Sequence, residues 1–285
     1  ARALDARPPL EAASILAEAQ AVAASSVKEA LPQICGAASA MARAVNAGAR
    51  LHYIAAGSSG LMAAADAQEL GGTFSIPASQ IRIHMAGGLP TGPDMPGETE
   101  DDMSGLTAAL SEVTASDAII AVSASGATPY TVAGARIAAS RGASIIAIAN
   151  NPNTPLLALA DHPILLETPP EVLAGSTRMG AGTSQKIALN MLSTLMAVEL
   201  GHVHDGMMVN LRADNAKLRA RAAHMVSRIA EVTVPEAEGA LERANGNVKV
   251  AVLVARRVTT DQAEQLLSDT RGHLRPALEK LKKTI

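Results

Sequence analysis

The chain has 285 residues, 48% of them hydrophobic, a net charge of −3 and a single cysteine, Cys35. That is enough apolar mass for a core without staples, and one cysteine excludes an intrachain disulfide or a cysteine-built metal cluster. One phenylalanine, two tyrosines and no tryptophan on an acidic chain supply neither the charge nor the stacking surface that nucleic acid needs.

"LEAASILAEAQAVAASSVKEALPQI" and "AASAMARAVNAG" read as helices, broken near Pro32 and closed by Gly48. The opening "ARALDARPPLEAASI" lacks a basic start followed by an apolar run. No apolar stretch reaches the ~20 residues that cross a bilayer, so the expectation is a soluble, cytoplasmic chain without a membrane partner.

From residue 51 onward, apolar runs alternate with helical patterns. Strands are predicted at 51–56, 80–86, 117–125, 144–150 and 162–168, and helices at 60–70, 101–113, 129–141 and 184–200. The alternation predicts an α/β fold: a mostly parallel sheet sandwiched by helices through right-handed crossovers, with ligands at the carboxyl ends of the strands. Beyond residue 210 the strand signals end, and helical patterns at 211–231, 235–244, 248–257 and 260–283 predict a C-terminal helical subdomain. The domains expected are therefore 1–210, with its N-terminal helices, and 211–285.

Two segments carry an anion-binding pattern. Gly57, Ser58, Ser59 and Gly60 lie where a strand passes into a helix, so free amides and hydroxyls meet the positive end of a helix dipole. Ser123, Ser125, Gly126 and Thr128 repeat the arrangement ahead of Pro129, a favourable first helical residue. Either cluster alone is equally an ordinary helix cap; two in one sheet favour a phosphate. The pattern matches neither GxGxxG nor the lysine-bearing nucleotide loop, which points to a monophosphate such as a sugar phosphate. Carboxylates come next: Glu69 ends the helix that the first segment opens, and "GETEDD" places Glu98, Glu100, Asp101 and Asp102 at the start of another helix, in a loop after a strand of the same sheet. Singly these read as dipole complements or solvated ends. Together around a sugar phosphate they read as a general acid and a general base.

"GSSG" and "SASGATP" resemble the phosphate-binding turns of the sugar isomerase (SIS) fold. "AAGSSGLMAAADAQELGGTFSIP", "GETEDD", "SASGATPYTVAGARIAASRGASIIAIANNPNTP" and the block 171–221 resemble, in order, the N-acetylmuramic acid 6-phosphate etherases, and the terminal helices do so as well. The block 171–221 is the most specific part. The resemblance implies an SIS-type domain and a cofactor-free carbon–oxygen lyase acting on a small sugar phosphate, with a homodimer expected. In that chemistry the open-chain aldehyde makes the C2 proton acidic, a base removes it, D-lactate leaves C3, and water adds to the unsaturated aldehyde. The products are N-acetylglucosamine 6-phosphate and D-lactate.

Carried over by position, Glu69 falls on the acid that assists lactate departure and Glu100 on the second essential carboxylate, the C2 base. Gly57, Ser58, Ser59, Ser123, Ser125, Gly126 and Thr128 fall on sugar-phosphate contacts, and Glu171 on a substrate contact. The chain departs from the family at Leu61, Ala127 and Gly180, where cations are usual, and at Gly97, where a glutamate is usual. Arg178 and Lys186 remain as cations able to meet an anionic substrate. His202 and His204, followed by Asp205, would share a face of an extended segment, but the pair of histidines has no third ligand in sight, so no metal is expected. The alternatives are a non-catalytic sugar-phosphate regulator of the glucokinase regulatory protein kind, favoured by the lost cations, and a hexosamine-phosphate aldose–ketose isomerase.

Overall fold

The computed structural model describes residues 3–95 and 97–284. The chain divides into two units, residues 1–68 with 79–195 and residues 69–78 with 196–285.

The first unit holds α1 (Pro9–Ser25), α2 (Leu31–Asn46), β1 (Leu51–Ala55), most of α3 (Gly57–Phe74), β2 (Ile81–Met85), α4 (Leu106–Ala109), β3 (Ala118–Val122), α5 (Pro129–Ser140), β4 (Ser144–Ala149), α6 (Pro155–Ala158), β5 (His162–Leu165) and most of α7 (Gly180–Glu199). The strands form one parallel sheet in the order β2-β1-β3-β4-β5. The order reverses about β1, which is where ligand crevices open in sheets of this class. All residues of β1 and β3 are buried, as near-continuous apolar runs require when both faces are covered. Helix α2 packs on β1, β3 and β5, and α5 packs on β1, β3 and β4. Ile54, Ile119, Ile120, Ile145 and Ile146 are fully enclosed, each contributing about 1.5–3 kcal/mol by burial. Gly134 lets α5 approach β1, since a side-chain carbon there would stand 2.9 Å from Ile54 Cγ2.

The second unit holds the end of α3, the short antiparallel pair β6 (Val203–His204) and β7 (Met207–Met208), and helices α8 (Ala216–Ala230), α9 (Val234–Arg243), α10 (Val248–Ala255), α11 (Thr260–Asp269) and α12 (Leu274–Thr284). Its core gathers Val226, Ala237, Ala251, Val252, Leu253 and Ala277. Thr233 and Thr259 open α9 and α11 with capping boxes closed by Glu236 and Gln262. Lys249, buried on α10, donates to Gly272 O at 3.0 Å and to Gly201 O at 3.4 Å, so its ammonium serves two helix C-terminal turns. Burial lowers its pKa to about 8.

The structure departs from the sequence expectation in three places. The helix expected at 101–113 is a 3-10 turn, Gly97–Asp101, followed by the single turn α4. Gly105, at φ 75°, and the Ser104 amide donated to Asp102 Oδ1 at 2.8 Å interrupt it. The pattern at 260–283 divides into α11 and α12 because Arg271 and Gly272 adopt φ 52° and 75°. The pair β6–β7 turns on Asp205 and Gly206, both at positive φ, where the sequence reading has an extended segment. No helix among the described residues is long and apolar enough to cross a membrane.

Candidate active site

At the carboxyl end of β1, the residues of "GSSG" are the first turn of α3 itself, the helix closing with Gly60 N donated to Ala56 O at 2.9 Å. Gly57 has φ 53°, a conformation that glycine adopts without a Cβ penalty. Ser59 is buried and Ser58 half-buried. Consecutive residues at a helix head direct amides outward, which is the physical requirement for an anion site.

The loop after β3 closes on itself. Ser123 Oγ lies 2.8 Å from Thr128 Oγ1 and 3.2 Å from Ser125 Oγ, and it accepts from Gly126 N at 3.1 Å. Ser125 Oγ accepts from Ala127 N at 3.2 Å. Gly126, at φ 67°, is required twice over, because a side-chain carbon there would stand 2.7 Å from Thr154 Cγ2. The result is a cup of three hydroxyls at the head of α5, each able to turn its proton toward an anion.

Glu100 is half-buried in the 3-10 turn Gly97–Asp101, which packs against α5. Its carboxylate lies against Gly57: a side-chain carbon at Gly57 would collide with Oε1 and stand 3.6 Å from Cδ. Glu100 therefore stands at the head of α3, one of the two helix heads predicted to bind phosphate, and its turn packs on α5, the helix that carries the other. Nearby Tyr130 has its pKa raised, first by burial and then by the Asp102 charge.

The remaining predicted residues lie elsewhere. Glu69 is exposed on α3, twelve residues beyond Gly57, about 18 Å along the helix axis. Glu171 spans the head of α7, Oε2 accepting from Gly180 N at 3.0 Å and Oε1 from Ala181 N at 3.1 Å. Its two oxygens thus satisfy amides as capping side chains do at helix starts.

Sequence reasoning missed a polar brace behind the site. Asp66, buried on α3, accepts from Tyr53 OH at 3.0 Å, Asn190 Nδ2 at 3.0 Å and Ser193 Oγ at 2.8 Å. Its spacing of seven from Ser59 along the helix is the only sign of it in the sequence. Asn150, just past β4, donates to Ser184 Oγ at 2.9 Å and accepts from Gln185 Nε2 at 2.8 Å, fixing α7 to the carboxyl end of the sheet. His202 and His204, both singled out from the sequence, belong to the second unit, and burial with Lys249 nearby lowers the His202 pKa to about 4. Among the described residues no cluster of three His, Cys, Asp or Glu side chains could hold a metal.

Residues 98–200 match the SIS domain family. Over 278 residues the chain is 39% identical to N-acetylmuramic acid 6-phosphate etherase from Deinococcus radiodurans, covering 96% of this chain and 91% of that protein. The chain belongs to the N-acetylmuramic acid 6-phosphate etherase family. The etherase from Erwinia tasmaniensis is 37% identical over 281 residues, covering 97% of this chain and 91% of its own length. Among solved structures, a candidate phosphosugar isomerase involved in capsule formation from Bacteroides fragilis superposes with TM-score 0.54 at 18% identity, over 70% of this chain and 95% of that one. A candidate sugar-phosphate isomerase from Listeria monocytogenes gives 0.51 at 13% identity, over 67% of this chain and 89% of its own. Both share the fold of the etherase family's sheet domain.

Proposed function

We propose that the protein cleaves the D-lactyl ether of N-acetylmuramic acid 6-phosphate, giving N-acetylglucosamine 6-phosphate and D-lactate. The observation that carries the reading is Glu100 lying against Gly57 at the serine-bearing head of α3, in a chain of the etherase family. The phosphate sits with Ser58, Ser59, Ser123, Ser125 and Thr128, with Gly57 and Gly126 giving backbone access. Glu100 takes the C2 proton of the open-chain aldehyde. The C3–O bond breaks, its electron pair leaving with the lactyl oxygen, which Glu69 protonates. Water then adds at C3 of the unsaturated aldehyde, and a proton returns to C2. Glu171 acts through the α7 head that it holds.

A homodimer fits this reading. Glu69 stands about 18 Å along α3 from Gly57, farther than a hexose phosphate spans, so a second copy completes the site. Leu10, Val22 and Leu31 are 80%, 46% and 42% exposed on α1 and α2, apolar area suited to that contact. A cytoplasmic location accords with a phosphorylated substrate that does not cross membranes unaided. The etherase names of the relatives favour this reading over a regulator or an isomerase.

The test is D-lactate release from N-acetylmuramic acid 6-phosphate in deuterated water. The expected result is one lactate per sugar and one solvent deuterium at C2. Saturable binding without lactate would return the regulator reading.

A further inference from the structure

We infer that Lys186 binds the second anionic group of the substrate, the lactyl carboxylate, and that Asn190 and Asp66 are positioning residues for its ammonium. The inference rests on the etherase reading for the identity of that group. The proposed substrate carries two anions, and the hydroxyl cups answer the phosphate alone. A carboxylate calls for a cation, yet Leu61, Ala127 and Gly180 stand where the resemblance leads one to expect cations.

Lys186 is placed and braced for the task. Ser184 and Gln185, the residues just before it on α7, are hydrogen-bonded to Asn150 at the carboxyl end of β4. Lys186 therefore follows at the end of the sheet where the strands deliver the site, and its side chain is exposed. Its Nζ donates to Asn190 Oδ1, one helical turn on. That donation orients the amide, so Asn190 Nδ2 faces Asp66 Oδ1 at 3.0 Å. Asp66 is only 4% exposed and is held from two further sides by Tyr53 OH and Ser193 Oγ.

The chemistry of the brace matters. A lysine paired directly with a carboxylate has its charge already answered, and an incoming anion must compete for it. Here the acceptor is a neutral amide, so the ammonium keeps its charge and two of its three N–H donors for a ligand. The balancing carboxylate is one residue removed and buried, where it restrains Asn190 rather than the ammonium. Pre-orientation of a long, flexible side chain lowers the entropy lost when the ligand arrives.

The experiment compares the full chain with Lys186→Gln using N-acetylmuramic acid 6-phosphate and N-acetylglucosamine 6-phosphate, which lacks the carboxylate. The substitution is at an exposed position, and melting temperature verifies folding. The expected result is a KM for the muramic sugar raised ~10–100-fold, the size of a lost hydrogen bond to a charged group. The inhibition constant of the glucosamine sugar stays within about twofold, and Lys186→Arg restores most of the loss. Asn190→Ala should raise KM selectively for the muramic sugar with kcat retained, a split that a general loss of packing would not give. Equal loss for both sugars, or no loss for either, overturns the inference.

If the parent protein releases no lactate, the etherase reading fails separately. Calorimetric affinities then decide the point: tighter binding of the muramic sugar, abolished by Lys186→Gln, supports the role of Lys186, and equal binding of both sugars refutes it.

Discussion

Glu100 lies so close to Gly57 that its carboxylate occupies the space where any side chain at that position would begin. The relationship joins the acidic 3-10 turn to the head of α3 and explains why the first residue of that helix has no Cβ. Gly57→Ala should therefore push Glu100 aside and strain a backbone held at φ 53°, at about 1–2 kcal/mol for the left-handed conformation. Lactate release should fall by at least ~10-fold in kcat/KM. Unchanged kinetics would mean that Glu100 has no part in the reaction.

Gly126→Ala faces the same backbone penalty at φ 67°, and its new carbon meets Thr154. The hydroxyl cup of Ser123, Ser125 and Thr128 should open, weakening N-acetylglucosamine 6-phosphate binding. A melting temperature lower by about 3–8 °C should accompany it. Calorimetry and thermal melting read the two effects separately.

Removing the Glu171 carboxylate leaves Gly180 N and Ala181 N without their acceptors. Glu171→Ala should cost about 1–2 kcal/mol of stability, as other lost N-caps do. Denaturant titration measures it. A loss of turnover much larger than that destabilisation explains would reveal a direct contact with substrate.

The buried Lys249 makes stability depend on alkaline pH. Its folded pKa is near 8 against an ordinary value of 10.5, so between those values the unfolded chain binds more protons. Stability should consequently rise with pH across this window, by up to about 3 kcal/mol from this residue. Lys249→Met should flatten the profile in urea titrations carried out across that same interval.

On the acid side, His52 and His84 lie edge to edge in nearly parallel planes, 5.3 Å between centroids, with Nδ1 of the first 3.0 Å from Nε2 of the second. Burial is the largest cause lowering both pKa values, His84 to about 4. Arg82 lowers both, the neighbouring imidazole further lowers that of His84, and Asp117 opposes the shift at His52. A depressed histidine pKa means that the unfolded state takes up the proton first. Stability is present above pH 6.5 and should fall as pH drops toward 4. His84→Gln should remove much of that slope, as acid titration followed by circular dichroism would report.

The parts of the fold legible in the sequence are those written in local pattern. The apolar runs at Leu51, Ala118 and Ser144 form β1, β3 and β4 because their period and length suit strands buried on both faces. The 101–113 pattern overstates its helix because apolar spacing does not register a glycine at positive φ. Asp205–Gly206 is a hairpin dipeptide, but with only two residues paired on each side there is no run of alternation to mark the strands, and the segment reads as merely extended.

The sequence by itself determined the strand–helix alternation, the serine-rich helix heads and, through the resemblance, the family. Only the tertiary structure decided that Glu100 lies against Gly57, that Glu171 holds the head of α7, and that Lys186 is braced through Asn190 to Asp66. The reason is chain separation: Asp66 and Asn190 are 124 residues apart. Hydrophobic period and helix caps act over a few residues, whereas such a pairing exists only once sheet register and helix packing have brought α3 and α7 together.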